Sequence, residues 1–227
     1  MVSLPLAAAL AVLLVDSAIE LAFISSMVGY LLRTAKNEYP FEFQGSTAVI
    51  RAEPRSLLVN QGHTSNGAAG TALVIICFGG FVTLFLERRR EKQGLSYKPS
   101  IIFLIYTVLT ILSALLSLAA LAYTLTVTYQ TNDQDIVQSI AAAQAGGKYP
   151  VQDWTPDTWT RAMLRLPLTD GDTADRLRYW LRIIDGWKWN LIPLFLIGTL
   201  VAVLCVKEYF GGRRRGSEEK VVNGGSL

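Results

Sequence analysis

The sequence predicts an all-α membrane protein: a four-transmembrane-helix bundle with an extracellular cap of short helices and a candidate β-hairpin. Three observations carry that expectation. The chain has 227 residues, 51% of them hydrophobic, and the apolar ones gather into four long runs. Of its 21 Lys+Arg and 18 Asp+Glu, only Asp16 and Glu20 fall inside those runs. Each run is about as long as a bilayer core is thick, which takes roughly 20 residues as a helix. Such a distribution excludes a soluble globular enzyme, a disordered chain and a secreted disulfide scaffold. A net charge of +3 is too small and too dispersed for a nucleic-acid binder. The whole of 1–227 therefore reads as a single tetraspan domain.

The spans are placed at about 6–32, 68–86, 101–128 and 189–206. A signal peptide is the rival reading of the first, but it lacks a basic leader, and Asp16 and Glu20 would spoil its apolar stretch. Orientation follows from the Lys/Arg bias of short loops. The segment 87–100 carries Arg88, Arg89, Arg90, Lys92 and Lys98, and the tail 207–227 carries Lys207, Arg213, Arg214 and Arg215. These are the densest basic stretches, so both are expected in the cytosol, together with the N-terminus. Loops 33–67 and 129–188 then lie outside. Trp187 and Trp189 at the entrance to span four, and Tyr129 at the exit of span three, suit an interfacial belt, where a ring is apolar and its N–H or O–H is wet.

In loop one, Phe41-Glu42-Phe43-Gln44 and Ala48-Val49-Ile50-Arg51 flank Gly45-Ser46 and suggest a hairpin, with 56–60 as a further strand. His63, the lone histidine, has no Cys or acidic cluster beside it and reads as a solvated side chain. Loop two is more explicit. Thr155-Pro156-Asp157 supplies an N-cap, a first-turn proline and an acid at the positive helix end. Trp159, Ala162, Met163 and Leu166 follow at i, i+3, i+4, i+7, and Pro167 stops that helix. A second helix opens near Asp172-Thr173, puts Leu177, Trp180, Leu181 and Ile184 on one stripe, and is expected to end at Gly186. A third segment is 133–145, closed by Gly146-Gly147. Trp154, Trp159, Trp180, Trp187 and Trp189 are thus candidate cap or interface residues. Packing within the cap is favoured over a partner or lipid groove, because amphipathic stripes usually face a core. Both cysteines, Cys77 and Cys205, fall in spans, so no disulfide can staple the outside loops.

Asp16 and Glu20 are the sharpest chemical signal. Four residues apart, they share a face of span one, and ionisable groups at membrane depth are costly. Thr110, Ser113 and Ser117 of span three reach similar depths. Either the acids are protonated and hydrogen-bond those hydroxyls, gluing helices, or they line a proton or cation path, or they pair with a basic residue of another chain. Small residues (Gly67, Gly70, Gly79 and Gly80 in span two, Ser113 and Ser117 in span three, Gly198 and Ala202 in span four) suggest close helix approach. Pro193 is expected in the first turns of span four. Arg88–Arg90 and Arg213–Arg215 are candidates for anionic lipid headgroups, beyond their role in topology. No Ser/His/Asp set, His-Glu-x-x-His motif or phosphate-cradling glycine loop occurs, and no catalytic, cofactor-binding or metal-ligating residues are expected.

Trp154-Thr155-Pro156-Asp157-Thr158-Trp159, Leu164 to Leu168, and Gly186-Trp187-Lys188-Trp189-Asn190-Leu191-Ile192-Pro193 together resemble a group of four-span membrane proteins of filamentous fungi whose activity is unassigned. In topology alone the chain is also similar to tetraspanins and claudins, but it lacks the Cys-Cys-Gly motif of the former and the Gly-Leu-Trp and cysteine pair of the latter. The resemblance implies a tetraspan of unassigned activity and no catalytic residues, and no enzymatic role is expected. The function expected is that of a membrane organiser or accessory subunit, in the plasma membrane or an endomembrane. Its expected partners are membrane lipids and either further copies of itself or a larger membrane-protein complex, with no nucleic acid. The alternative is a homo-oligomeric channel with Asp16 and Glu20 facing water.

Overall fold

The computed structural model describes residues 4–93 and 99–224, with side chains described as far as Gly212. Its elements are α1 (Leu4–Thr34), β1 (Glu38–Phe43), β2 (Ser46–Arg51), α2 (Asn60–Thr71), a π-helical stretch (Ala72–Phe78), α3 (Gly79–Lys92), α4 (Ile101–Gln130), α5 (Gln138–Ala143), α6 (Pro156–Leu164) and α7 (Gly171–Gly224). Leu4–Thr34, Asn60–Lys92, Ile101–Gln130 and Gly171–Gly212 are each long and apolar enough to cross a membrane. Helix is the natural choice for such runs, since it satisfies every backbone polar group within the segment. The chain gathers into two compact units, Met1–Glu20 with Gly67–Ala119 and Leu191–Leu227, and Leu21–Asn66 with Ala120–Asn190.

In the first unit α1 buries Leu6, Leu10, Leu13, Ser17 and Glu20, a stripe at alternating spacings of four and three that marks one helix face. Val12, Val15 and Ile19 are exposed, as are Val74, Phe78, Phe81, Val82 and Phe85 and, on α4, Ile105, Val108, Leu112 and Leu115. Large apolar side chains on the outside of every span are what a lipid-facing surface requires. The π-helical stretch has a specific support. Tyr106 Oη donates to Ile76 O at 2.9 Å, an oxygen that also takes the Gly79 N–H. Gly80 makes room for that tyrosine, because a Cβ there would overlap the Tyr106 hydroxyl and sit 3.0 Å from Leu10. Of the glycines expected to form small-residue ridges, only this one makes such a close approach. A Cβ at Gly67, Gly70, Gly79 or Gly198 would meet open space, so these four glycines do not mark tight crossings.

The second unit holds a cap with its own apolar core. The hairpin pairs Tyr39 with Ile50 and Phe41 with Ala48, and turns on Gln44 (φ 51°) and Gly45 (φ 76°), one residue earlier than the Gly45-Ser46 turn expected. Two positive φ angles in a two-residue loop match the twist of antiparallel strands. A lone hairpin is marginal. This one is packed: Tyr39, Phe41 and Ile50 are buried against Ile136, Tyr149, Trp154, Trp159, Ala162, Met163 and Leu177. Its free edge is also covered, by Glu42 N–H to Pro167 O and Thr169 N–H to Pro40 O. The strand expected at 56–60 reduces to one parallel bridge, Leu57 with Trp154, because α2 already begins at Asn60. That helix takes up 60–66, which the sequence reading left in the loop, and His63 sits exposed on it.

Helix α6 opens with a reciprocal capping box. Thr155 Oγ1 accepts the Thr158 N–H, and Thr158 Oγ1 accepts the Thr155 N–H, ahead of Pro156 at the first helical position. The helical segment expected over 133–145 is shorter, Gln138–Ala143, and closes on Ala145 (φ 46°) and Gly146 (φ 83°). Gly186 does not end the second cap helix. α7 runs on through it, and through Pro193, which consequently lies in a helix interior instead of a first turn. The reason is contact: a Cβ at Gly186 would come within 2.9 Å of the Phe23 ring, so the glycine serves packing and not termination. Asp170 caps α7, accepting from Asp172 N–H, Thr173 N–H and Thr173 Oγ1.

Candidate functional site

Two groups of side chains stand out. The first is the intramembrane polar set of the first unit. Asp16 and Glu20 lie one turn apart on α1 and are 9% and 0% exposed. Thr110, Ser113 and Ser117 of α4 are buried in the same unit, and Thr107 extends their stripe. The hydroxyls of Thr107, Thr110 and Ser117 donate to Phe103 O, Thr107 O and Ser113 O of their own helix, at 2.8, 2.7 and 3.1 Å. That back-bonding spends their hydrogens locally and leaves oxygen lone pairs as what they offer to a neighbour. Acceptors of this kind suit a group that donates.

The second group was not anticipated. Lys188, the last residue of the loop 129–188 expected outside, is buried in the cap. Its Nζ lies 2.6 Å from Asp157 Oδ2 and 3.1 Å from Asp185 Oδ1. Arg161 closes the ring, Nε on Asp157 Oδ1 at 2.8 Å and Nη2 on both Asp185 oxygens at 2.6 and 2.8 Å. Two anions and two cations thus neutralise each other, with Lys188 and Asp157 side chains only 8% and 4% exposed. Burial alone would lower the Arg161 guanidinium, but the carboxylates of Asp157 and Asp185 outweigh it and hold it above its ordinary value. Asp157 therefore does more than complement a helix dipole. One signal was available in the sequence: Asp185 and Lys188 are three apart on the face that carries Leu177 and Ile184.

The tryptophans divide. Trp154 is fully buried and Trp159 nearly so, with ring centroids 5.1 Å apart, edge to face. Their indole N–H groups donate to Val151 O at 2.9 Å and Ala52 O at 2.6 Å. Trp180 is half-buried and stacks on Tyr30, centroids 4.3 Å apart. Trp187 is not an interfacial anchor as expected. It is 2% exposed, because 184, 187 and 191 fall on one buried face of α7, and it packs with Ile24, Met27 and Ile184. Trp189 is 55% exposed, with the Lys188 ammonium 5.4 Å from its ring.

Arg88 and Arg89 are exposed near the C-terminus of α3, where cations complement the helix dipole, and Arg90 pairs with Glu87 at 3.4 Å. Glu87 also accepts from Ser100 Oγ, which in turn caps α4 by taking the Phe103 N–H. The side chains of Arg213, Arg214 and Arg215 lie outside the described residues, as does Lys98. Among the described residues no cluster of three or more His, Cys, Asp or Glu could hold a metal.

Four helices of bilayer length with apolar exteriors, one of them carrying buried acids, define a multi-pass α-helical membrane protein. No family model, curated protein or solved structure matches the chain.

Proposed function

We propose that this protein is a non-enzymatic membrane organiser or accessory subunit of a larger assembly, in the plasma membrane or an endomembrane, related to four-span proteins of filamentous fungi. The observation that carries the reading is the cap. Its strongest chemical groups, the Asp157–Lys188–Asp185–Arg161 ring and the Trp154–Trp159 pair, are consumed in holding a preformed platform together. A rigid, pre-ordered surface binds a partner without the entropic cost of ordering itself. Both termini are assigned to the cytosol from the basic stretches, and Arg88–Arg90 with Arg213–Arg215 to the anionic inner leaflet.

Burial of Asp16 and Glu20 within a single chain supports a structural role for them, and weighs against a channel whose water-filled path is completed by further copies. Gentle extraction followed by native mass measurement tests the reading. Expected is a complex heavier than one chain, with a distinct co-purifying membrane protein or further copies. A strictly monomeric mass across mild detergents overturns it. Orientation is tested on intact cells with an impermeant thiol reagent, which should label Ser139→Cys and leave Gln93→Cys silent. The reverse pattern inverts the topology.

A further inference from the structure

Within the second unit, the last turns of α1 and the first turns of α2 border a cavity of about 710 Å³. That volume falls in the range of pockets that hold one small molecule, roughly 300–1,000 Å³. Its wall is chiefly apolar and includes Met27, Leu31, Met163 and Leu177. Two polar atoms on buried side chains of that wall have no hydrogen-bond partner: Gln61 Oε1 and Trp187 Nε1, on residues 1% and 2% exposed. The Gln61 amide nitrogen is already committed, donating to Leu58 O at 2.8 Å, so what remains there is an acceptor. An indole nitrogen can only donate. One unmet acceptor and one unmet donor are the complement of a hydroxyl, which gives one hydrogen bond and takes another.

The charges around the cavity narrow the ligand further. Among the described residues no Lys or Arg borders it, and Glu53, the one acid there, faces Lys148 at 2.8 Å. His63, the remaining titratable side chain apart from tyrosines, is exposed. A phosphate or carboxylate head would thus be desolvated without a buried cation to pair with. The exposed border is mixed: Val28, Leu32 and Val59 are apolar, Leu32 exposed by 77%, and Ser25, His63 and Asn66 are polar. Val28 and Leu32 belong to a helix long and apolar enough to span a membrane, so on this side the cavity offers an apolar entrance suited to an acyl chain or a ring system, while His63 and Asn66 mark its polar side.

We propose that the cavity binds one neutral membrane lipid bearing a hydroxyl on an otherwise apolar body, the hydroxyl donating to Gln61 Oε1 and accepting from Trp187 Nε1. This goes beyond the organiser role and does not depend on it. The test uses the full chain, reconstituted in phosphatidylcholine vesicles, with three diazirine photoprobes: a long-chain alcohol, the fatty acid of equal length, and a sterol. Saturable crosslinking by the alcohol or the sterol is expected at peptides of α1 and α2, with the fatty acid at least tenfold weaker. Competition by unlabelled sterol or unlabelled diacylglycerol then identifies the source, and either result supports the site. Gln61→Met and Trp187→Phe keep shape while removing the polar atom, and each should reduce saturable labelling about fivefold, the worth of one hydrogen bond. Because both positions are buried, Val28→Trp provides a control from an exposed rim position. It should block labelling while leaving thermal unfolding without probe unchanged. Fatty acid labelling equal to the alcohol, or labelling indifferent to all three substitutions, overturns the proposal.

Discussion

Removal of the Lys188 ammonium tests the account of the cap most directly. In Lys188→Met the aliphatic stem is largely kept and the charge lost, so the ring passes from neutral to a net charge of −1. Breaking a buried ion pair from one side typically costs about 3–5 kcal/mol, because the abandoned charge stays desolvated. Here Asp157 retains the Arg161 Nε contact at 2.8 Å, which places the expected loss at the lower end, about 3 kcal/mol. For a chain of this size each kcal/mol is worth roughly 2–4 °C, so the melting temperature should fall by about 6–12 °C. Arg161→Met should cost less, about 1 kcal/mol, since that side chain is 38% exposed and water screens its loss. The double variant Asp157→Asn/Lys188→Met restores neutrality and leaves Arg161 bidentate on Asp185. It should therefore be less destabilised than the sum of Asp157→Asn and Lys188→Met by about 0.5–3 kcal/mol. Thermal unfolding in mild detergent, followed by size-exclusion fluorescence, measures all four. Additivity within about 0.5 kcal/mol, or an unaltered melting temperature for Lys188→Met, would refute the argument.

Gly80→Ala should destabilise by about 1–3 kcal/mol through overpacking against Tyr106 and Leu10, and Tyr106→Phe by about 0.5–1.5 kcal/mol through the bond lost to Ile76. Because Phe vacates the space the new methyl needs, the double variant should be more stable than Gly80→Ala alone, and a thermal shift below both singles rejects this packing. Trp159→Ala should cost about 3–5 kcal/mol as a buried aromatic, whereas half-buried Trp180→Ala should lose little beyond its stacking on Tyr30, about 0.5–1.5 kcal/mol. Equal melting temperatures for the two would contradict the burial difference. The hydrogen bond from Thr173, helped by the Asp172 and Thr173 N–H groups and Arg176, holds the Asp170 carboxyl below the usual carboxylate range. Its contribution is accordingly present above the unfolded value of about 3.9 and is lost as pH falls through the lower folded value. Asp170→Asn should make the acid limb of a tryptophan-fluorescence titration shallower, and an unchanged limb counts against the cap geometry.

The four spans were legible in the sequence because length and apolarity are properties of the segment itself, and helix is the only solution lipid allows a single segment. Helix α6 was legible for a similar reason: Thr155, Pro156 and the 159/162/163/166 stripe are local signals. What local pattern could not show depends on pairings distant in the chain. Lys188 finds Asp157 across 31 positions, and Trp159 Nε1 finds Ala52 O across 107, so neither the buried ring nor the hairpin's anchorage is written in any one stretch. Gly186 misled because glycine serves both as helix stop and as contact residue, and only the Phe23 ring beside it decides between them. The π-helical stretch left no compositional trace, since Tyr106, its support, lies in another span. Of the expected site residues, Asp16, Glu20, Thr110, Ser113 and Ser117 are buried in one unit. The cavity and its two unmet polar atoms needed coordinates, because Gln61 carries no local signal and Trp187 reads as an interfacial ring until their surroundings are known.

The cap's cohesion comes from an apolar core and a neutral ring of charges, and its only cross-links are non-covalent; both thiols, Cys77 and Cys205, are free and buried. Its maturation consequently asks for no oxidant and no disulfide isomerase, and a cap made in a reducing cell-free translation mix with nanodiscs should be as native as one made through a secretory pathway. For the experimenter the same feature is convenient: with two sheltered thiols as the whole background, a single cysteine can be installed anywhere on the cap surface as a spectroscopic handle without first stripping the chain.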